Sequence, residues 1–132
     1  MIEPPDEQER LAREWLALAE EDLLLSRELH QKSSHLRALC FHAQQAVEKF
    51  LKALLTHQHI TFSRTHDIES LVNHLPGELS ESFRLHQILD LTEYAVDTRY
   101  PSIASTEITR TDAERAFEAA QKVTDLVRRL IK

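Results

Sequence analysis

Cys40-Phe41-His42-Ala43-Gln44-Gln45-Ala46-Val47-Glu48-Lys49-Phe50-Leu51-Lys52 sets apolar side chains at helical spacing around a Gln-Gln and a Glu-Lys pair. Leu36, Ala43, Val47, Phe50 and Leu54 line one side of a helix expected over about residues 35–58, with Leu39, Cys40 and Leu51 beside them. With Val47 as origin and ~100° per residue, Phe41 falls at ~120° and Ala38 at ~180°, off the main stripe. Gln44 lies near Phe41 and Gln45 near Ala38. This helix has more coverage than one neighbour needs, so it belongs at the centre of a bundle. Its second, amide-bearing surface is covered either by a later helix or by a second subunit.

The composition agrees. One glycine and four prolines in 132 residues cannot supply the tight turns of a sandwich or barrel. The chain reads as all-α, an up-and-down bundle of about five helices, and its length fits one domain over 1–132 with 1–6 as a flexible N-terminus. A formal charge of −6 argues against tight, sequence-independent binding to a phosphate backbone by the whole surface, though a local basic cleft stays open. The single cysteine, Cys40, excludes an intrachain disulfide and a multi-Cys zinc site and fits a reducing interior. No apolar run approaches the ~20 residues of a membrane span, and the acidic N-terminus lacks a signal-peptide core. A cytoplasmic protein without membrane contact is expected.

Outward from the central helix, a first helix follows Pro5, with Asp6 as N-cap and Glu9 as its capping-box partner, and ends at about His30. Leu11, Trp15, Leu18, Leu25 and Leu29 mark its apolar face. Asp22 among them reads as a partner for a neighbouring basic group. The short link Gln31-Lys32-Ser33-Ser34 makes the first two helices an antiparallel hairpin, each arm on the order of 35 Å long. Thr65 is the expected N-cap of a third helix bearing Ile68, Leu71, Val72 and Leu75, which Pro76-Gly77 stops. A fourth, over about residues 80–97, carries Phe83, Ile88, Leu91, Tyr94 and Ala95. The last opens at Thr111-Asp112-Ala113-Glu114, read as a capping box, and runs through Phe117, Ala120, Val123, Val127 and Leu130. Leu18, Leu25, Leu39, Ala43, Val47, Phe50, Leu54, Phe117 and Val123 form the expected core. The stretch from Asp97 to Arg110 is long for a connector in a compact helical domain and so reads as a functional or a disordered segment.

Glu48 and Lys52, at i and i+4, form either an ordinary surface ion pair or, with Lys49, part of a basic strip along a cleft. The eight histidines show no recurrent metal-ligand spacing, so no metal is assigned, and they read as solvated or hydrogen-bonded. With Gly77 as sole glycine, no phosphate-cradling loop, dinucleotide fingerprint or nucleophile elbow can form, and no cofactor is expected.

Trp15, Asp22-Leu23, the Phe41–Lys49 block, Lys52-Ala53, Thr65-His66-Asp67 and Thr98-Arg99-Tyr100-Pro101, in this order over about residues 14–131, resemble the HEPN family of small helical domains. The resemblance implies a helical bundle, commonly a homodimer and often encoded beside a minimal nucleotidyltransferase. It also implies that many relatives are metal-independent ribonucleases, using an Arg followed after four to six residues by a His. Such a pair has a chemical logic: His moves a proton while Arg binds the phosphate. Arg99 stands at the place of that Arg, but residues 104–106 are Ala-Ser-Thr. Arg37 and His42 match the spacing, yet five residues of regular helix separate them by ~140° around the axis.

Three functions therefore compete. The first is a HEPN protein of a toxin–antitoxin-like module, partnered by a minimal nucleotidyltransferase, that binds nucleotide or RNA through Arg99, Tyr100 and His66 with Gln45, Lys49 and Lys52 nearby. The second is a metal-independent ribonuclease with Arg99 and His66 as catalytic candidates. The third is a structural dimerisation module. Arg99 is expected close to His66 or to the polar edge of the central helix, where Arg can hold a phosphate and Tyr100 can stack on a base. The alternative is that Arg99 pairs with a nearby acid such as Asp97 while Tyr100 packs on the bundle.

Overall fold

The computed structural model describes residues 6–32, 35–84 and 108–131. Five helices follow in order: α1 Glu7–Lys32, α2 Leu36–His57, α3 Ile68–Asn73, α4 Gly77–Arg84 and α5 Arg110–Leu130, with no strand among the described residues. The part of the expected fourth helix that carries Ile88, Leu91, Tyr94 and Ala95 lies outside the described residues. So do Arg99 and Tyr100.

α1 and α2 form the expected antiparallel hairpin, and α3 and α5 also pack on α2. From Ala43 to Thr56 every residue of α2 except Lys49 is buried, so α2 is the central helix of the described bundle. Phe50, Leu51, Leu54 and Leu55 meet Leu23 of α1, Leu71 of α3, Phe83 of α4 and Val123 of α5 in one core. The pairings Glu20–Arg128 and His30–Glu114 place α5 antiparallel to α1.

The buried stripe of α1 differs from the expected one. Leu18 is 46% exposed and Leu25 39%, while Ala12, Ala19, Leu23 and Ser26 are buried. With partly buried Leu16, these positions recur at i, i+4, i+7, i+11 and i+14, the seam of a helix packed against a close neighbour. Ala12, Ala19 and Ser26 on that seam let α1 approach α2, with Leu16 and Leu23 filling the contact, while Leu18 and Leu25 lie off it. Phe117 is only partly buried and stacks on His30, with ring centroids 4.3 Å apart and 13° between planes. Leu39, Ala43, Val47, Phe50, Leu54 and Val123 are fully buried.

Helix starts follow local chemistry. Asp6 caps α1 by accepting from the Glu9 amide at 2.7 Å. Asp67, not Thr65, caps α3: its carboxylate accepts from the Glu69 amide at 3.0 Å, while Thr65 Oγ1 accepts from the Asp67 amide. The capping box of α5 is Thr109 with Asp112, two residues before the expected Thr111. Thr109 accepts from the Asp112 amide at 3.1 Å and its own amide donates to Asp112 Oδ2 at 3.0 Å. These bonds hold the Asp112 carboxyl below its ordinary range. Because α5 begins at Arg110, only Thr109 has its hydroxyl within reach of the third helical amide.

Candidate functional site

The polar residues of α2 are organised around two carboxylates. Asp22, on α1, has a side chain only 10% exposed and holds two partners from α2: Lys49 Nζ at 2.6 Å and His42 Nδ1 at 2.9 Å. Asp22 thus meets a basic group, as expected, and ties the two arms of the hairpin together. Lys49 and His42 are seven residues apart on α2, two helical turns, and so present to the same side of α1.

Glu48 is the second centre. Its side chain is 2% exposed, so its pairing with Lys52, at 3.6 Å, is a buried contact and not a surface one. Its other oxygen meets His66 Nδ1 at 2.7 Å, reaching the segment that leads into α3. The His66 side chain itself is 61% exposed. Lys52 also lies over the Trp15 ring, 5.1 Å from its centroid, where the aromatic face favours a cation. Gln45 is buried and donates to Gln44 Oε1 at 2.8 Å, and among the described residues the buried Gln44 Nε2 has no partner.

Each candidate among the described residues therefore has a place. His66 and Lys52 share one carboxylate; Lys49 belongs to the other; Gln45 is tied to its neighbour in sequence. Lys49 and Lys52 are both charge-paired, which sets them apart from a strip of free cations. Arg37 is exposed while His42 Nδ1 is taken up by Asp22, so this pair forms no convergent site within the described residues.

Glu48, Asp22 and His42 were not among the candidates. The available signal was an i, i+4 Glu–Lys pair on a helix apolar on nearly every side: such a pair has to be buried somewhere. A third His–carboxylate contact, His30 Nε2 with Glu114 Oε2 at 2.7 Å, joins α1 to α5 and, with Arg110, keeps the Glu114 carboxyl below its ordinary range. Burial pushes the Cys40 thiol up to about 12, which makes it a poor nucleophile. Among the described residues, no three His, Cys, Asp or Glu side chains gather where a metal ion could sit, and no helix is long and apolar enough to cross a membrane. An open cleft of about 420 Å³ lined by Gln8, Thr56, His59, Ile60, Thr61 and Phe62 contains none of the candidates.

A helical bundle with a long antiparallel hairpin, whose central helix buries carboxylates paired with His and Lys, defines the class. The family model described as HEPN domain matches residues 12–130, and the chain belongs to this family. It is 28% identical over 138 aligned positions to the protein of Methanocaldococcus jannaschii named "Putative toxin MJ1304", covering 93% of this chain and 90% of that protein. The crystal structure of ST0689, described as an archaeal HEPN homologue, superposes with a TM-score of 0.72 at 26% identity, covering 92% of this chain and 98% of the other. TT1696 from Thermus thermophilus gives a TM-score of 0.73 at 29% identity, covering 91% of this chain and 98% of that one.

Proposed function

We propose that this HEPN protein is the helical component of a toxin–antitoxin-like module: a cytoplasmic homodimer that associates with a minimal nucleotidyltransferase and binds a nucleotide or RNA phosphate at the His66 edge of α2. The carrying observation is the exposed His66 imidazole, anchored through Nδ1 on a buried carboxylate. A histidine held in this way is oriented before a ligand arrives, so binding costs less ordering. Arg99 and Tyr100 complete the proposed site as phosphate clamp and stacking group. Membership of the family and the toxin name borne by the M. jannaschii relative support the module. Leu18 and Leu25, one heptad apart on α1 and 46% and 39% exposed, favour a second copy as partner.

Titration with nucleotides and short RNA, using Arg99→Ala and His66→Ala as controls, tests the site. Binding that both variants weaken is expected; equal, negligible binding in all three proteins removes it. Co-purification with a nucleotidyltransferase encoded beside the gene tests the partnership. Light scattering is expected to report a dimer, and a lone 15.3 kDa species at micromolar concentration refutes that.

The same anchored imidazole favours a second reading, metal-independent RNA cleavage with His66 as the proton-transfer group. Cleavage that persists in chelator and is lost in His66→Ala is its signature.

A further inference from the structure

We propose that Glu48 is the positioning residue of the site: it fixes the proton of His66 on Nδ1 and thereby presents Nε2 as the atom that meets a phosphate-ester oxygen. The inference rests on the nucleotide- or RNA-binding reading for its ligand but not for its geometry. A carboxylate only accepts hydrogen bonds, so the 2.7 Å contact of Glu48 Oε1 with His66 Nδ1 requires the hydrogen on Nδ1. This is the tautomer that a free histidine side chain disfavours in water. In the neutral ring Nε2 then carries the lone pair; in the protonated ring it carries an N–H that can donate to a phosphate. Either way the chemically useful nitrogen is the one that no described group contacts, on a side chain 61% exposed.

A simple pin between the α2–α3 connection and α2 does not account for this arrangement. The entry to α3 is already held by its own bonds, Thr65 Oγ1 to the Asp67 amide and Asp67 Oδ1 to the Glu69 amide. A carboxylate 2% exposed is costly to bury, and a neutral amide or a backbone carbonyl could anchor an exposed ring at lower cost. What a carboxylate adds is a definite tautomer and a charge. Lys52, 9% exposed and 3.6 Å from the other Glu48 oxygen, balances that charge from inside, with Trp15 over its ammonium. Once His66 is protonated, the trio Glu48, Lys52 and His66 carries one net positive charge. Its accessible donor is His66 Nε2, since Lys52 is buried. That is a seat for a singly bound phosphate oxygen, and it explains how an acidic protein can present a local anion site without a basic surface.

Ring nitrogen–proton correlations on the uniformly 15N-labelled full chain test both halves. Wild type is expected to show neutral His66 as the Nδ1–H tautomer. Its Nε2 resonance should move on titration with inorganic phosphate and with adenosine monophosphate. Glu48→Ala is expected to return His66 to the Nε2–H tautomer and to weaken the phosphate response roughly 3–10-fold, the value of about one hydrogen bond. Glu48→Gln, which keeps the shape and one acceptor oxygen, should restore the tautomer in part. A neutral wild-type ring with its hydrogen on Nε2 overturns the positioning role without need of any variant. A correct tautomer whose Nε2 stays unmoved by either anion overturns the phosphate assignment. If nucleotide binding is then absent altogether, the broader reading falls with it; if nucleotide binds while His66 is silent, only the present assignment falls.

Discussion

Asp22 shows how much one side chain decides at the scale of a residue. Its carboxylate holds Lys49 and His42 at once and is nearly buried between α1 and α2. Asp22→Ala should cost about 1.5–3 kcal/mol, the range for hydrogen bonds to charged groups, moderated because Lys49 and His42 can still reach water. Asp22→Asn, which keeps one acceptor, should cost less. Urea unfolding with an unchanged slope checks both. Cys40 acts through its silence. Its thiol is pushed from 9.0 up to about 12 by burial, so the unfolded chain ionises first as pH rises. The contribution is fully present below the ordinary thiol range and is lost as pH climbs from there toward about 12. Alkylation of Cys40 by iodoacetamide in mildly alkaline buffer should be slow in the native protein and fast in denaturant. Equal rates would place the thiol at the surface.

At the scale of the element, helix ends and helix faces are legible to unequal degrees. Asp6 stands out as the cap of α1 because the aspartate directly precedes a helical pattern. Before α5 the spacing points to Thr111 as the cap, whereas Thr109 supplies it. The choice follows from where the chain turns into the core, since Ala113 and Ala116 must face inward. Thr109→Ala is expected to cost about 1 kcal/mol, while Thr111→Ala, on an exposed residue inside the first turn, should be nearly neutral. Thermal unfolding of the two variants separates them, and the reverse ranking would restore Thr111 as the cap. α2 ends differently. His59 takes φ 60 and the Ile60 amide bonds the Leu55 carbonyl at 2.9 Å, a Schellman closure with histidine where glycine is usual. A chain whose sole glycine is Gly77 has to use another residue there.

Across the whole molecule, stability is concentrated around α2, and Phe50 is one of its largest fully buried side chains. Phe50→Ala should cost roughly 3–5 kcal/mol through lost burial and the cavity left behind. A denaturant midpoint unmoved by that substitution would contradict its place in the core. The helical class, the α1–α2 hairpin and the centrality of α2 were all determined by the sequence itself. They depend on period, on turn-former scarcity and on apolar coverage, which are local quantities. Trp15 and His66, too, could be singled out before any contact was known. The side of α1 that faces the core was decided by tertiary structure: Ala12, Ala19 and Ser26 permit a close approach, and Leu23 on the same side fills the core in place of Leu18 and Leu25. So was the meaning of the charges. Nothing within residues 40–52 tells that Glu48 also meets an imidazole eighteen residues away, or that Asp22 claims Lys49. Period fixes which residues share a face of one helix, whereas the partner of a charge depends on which other element folds against that face.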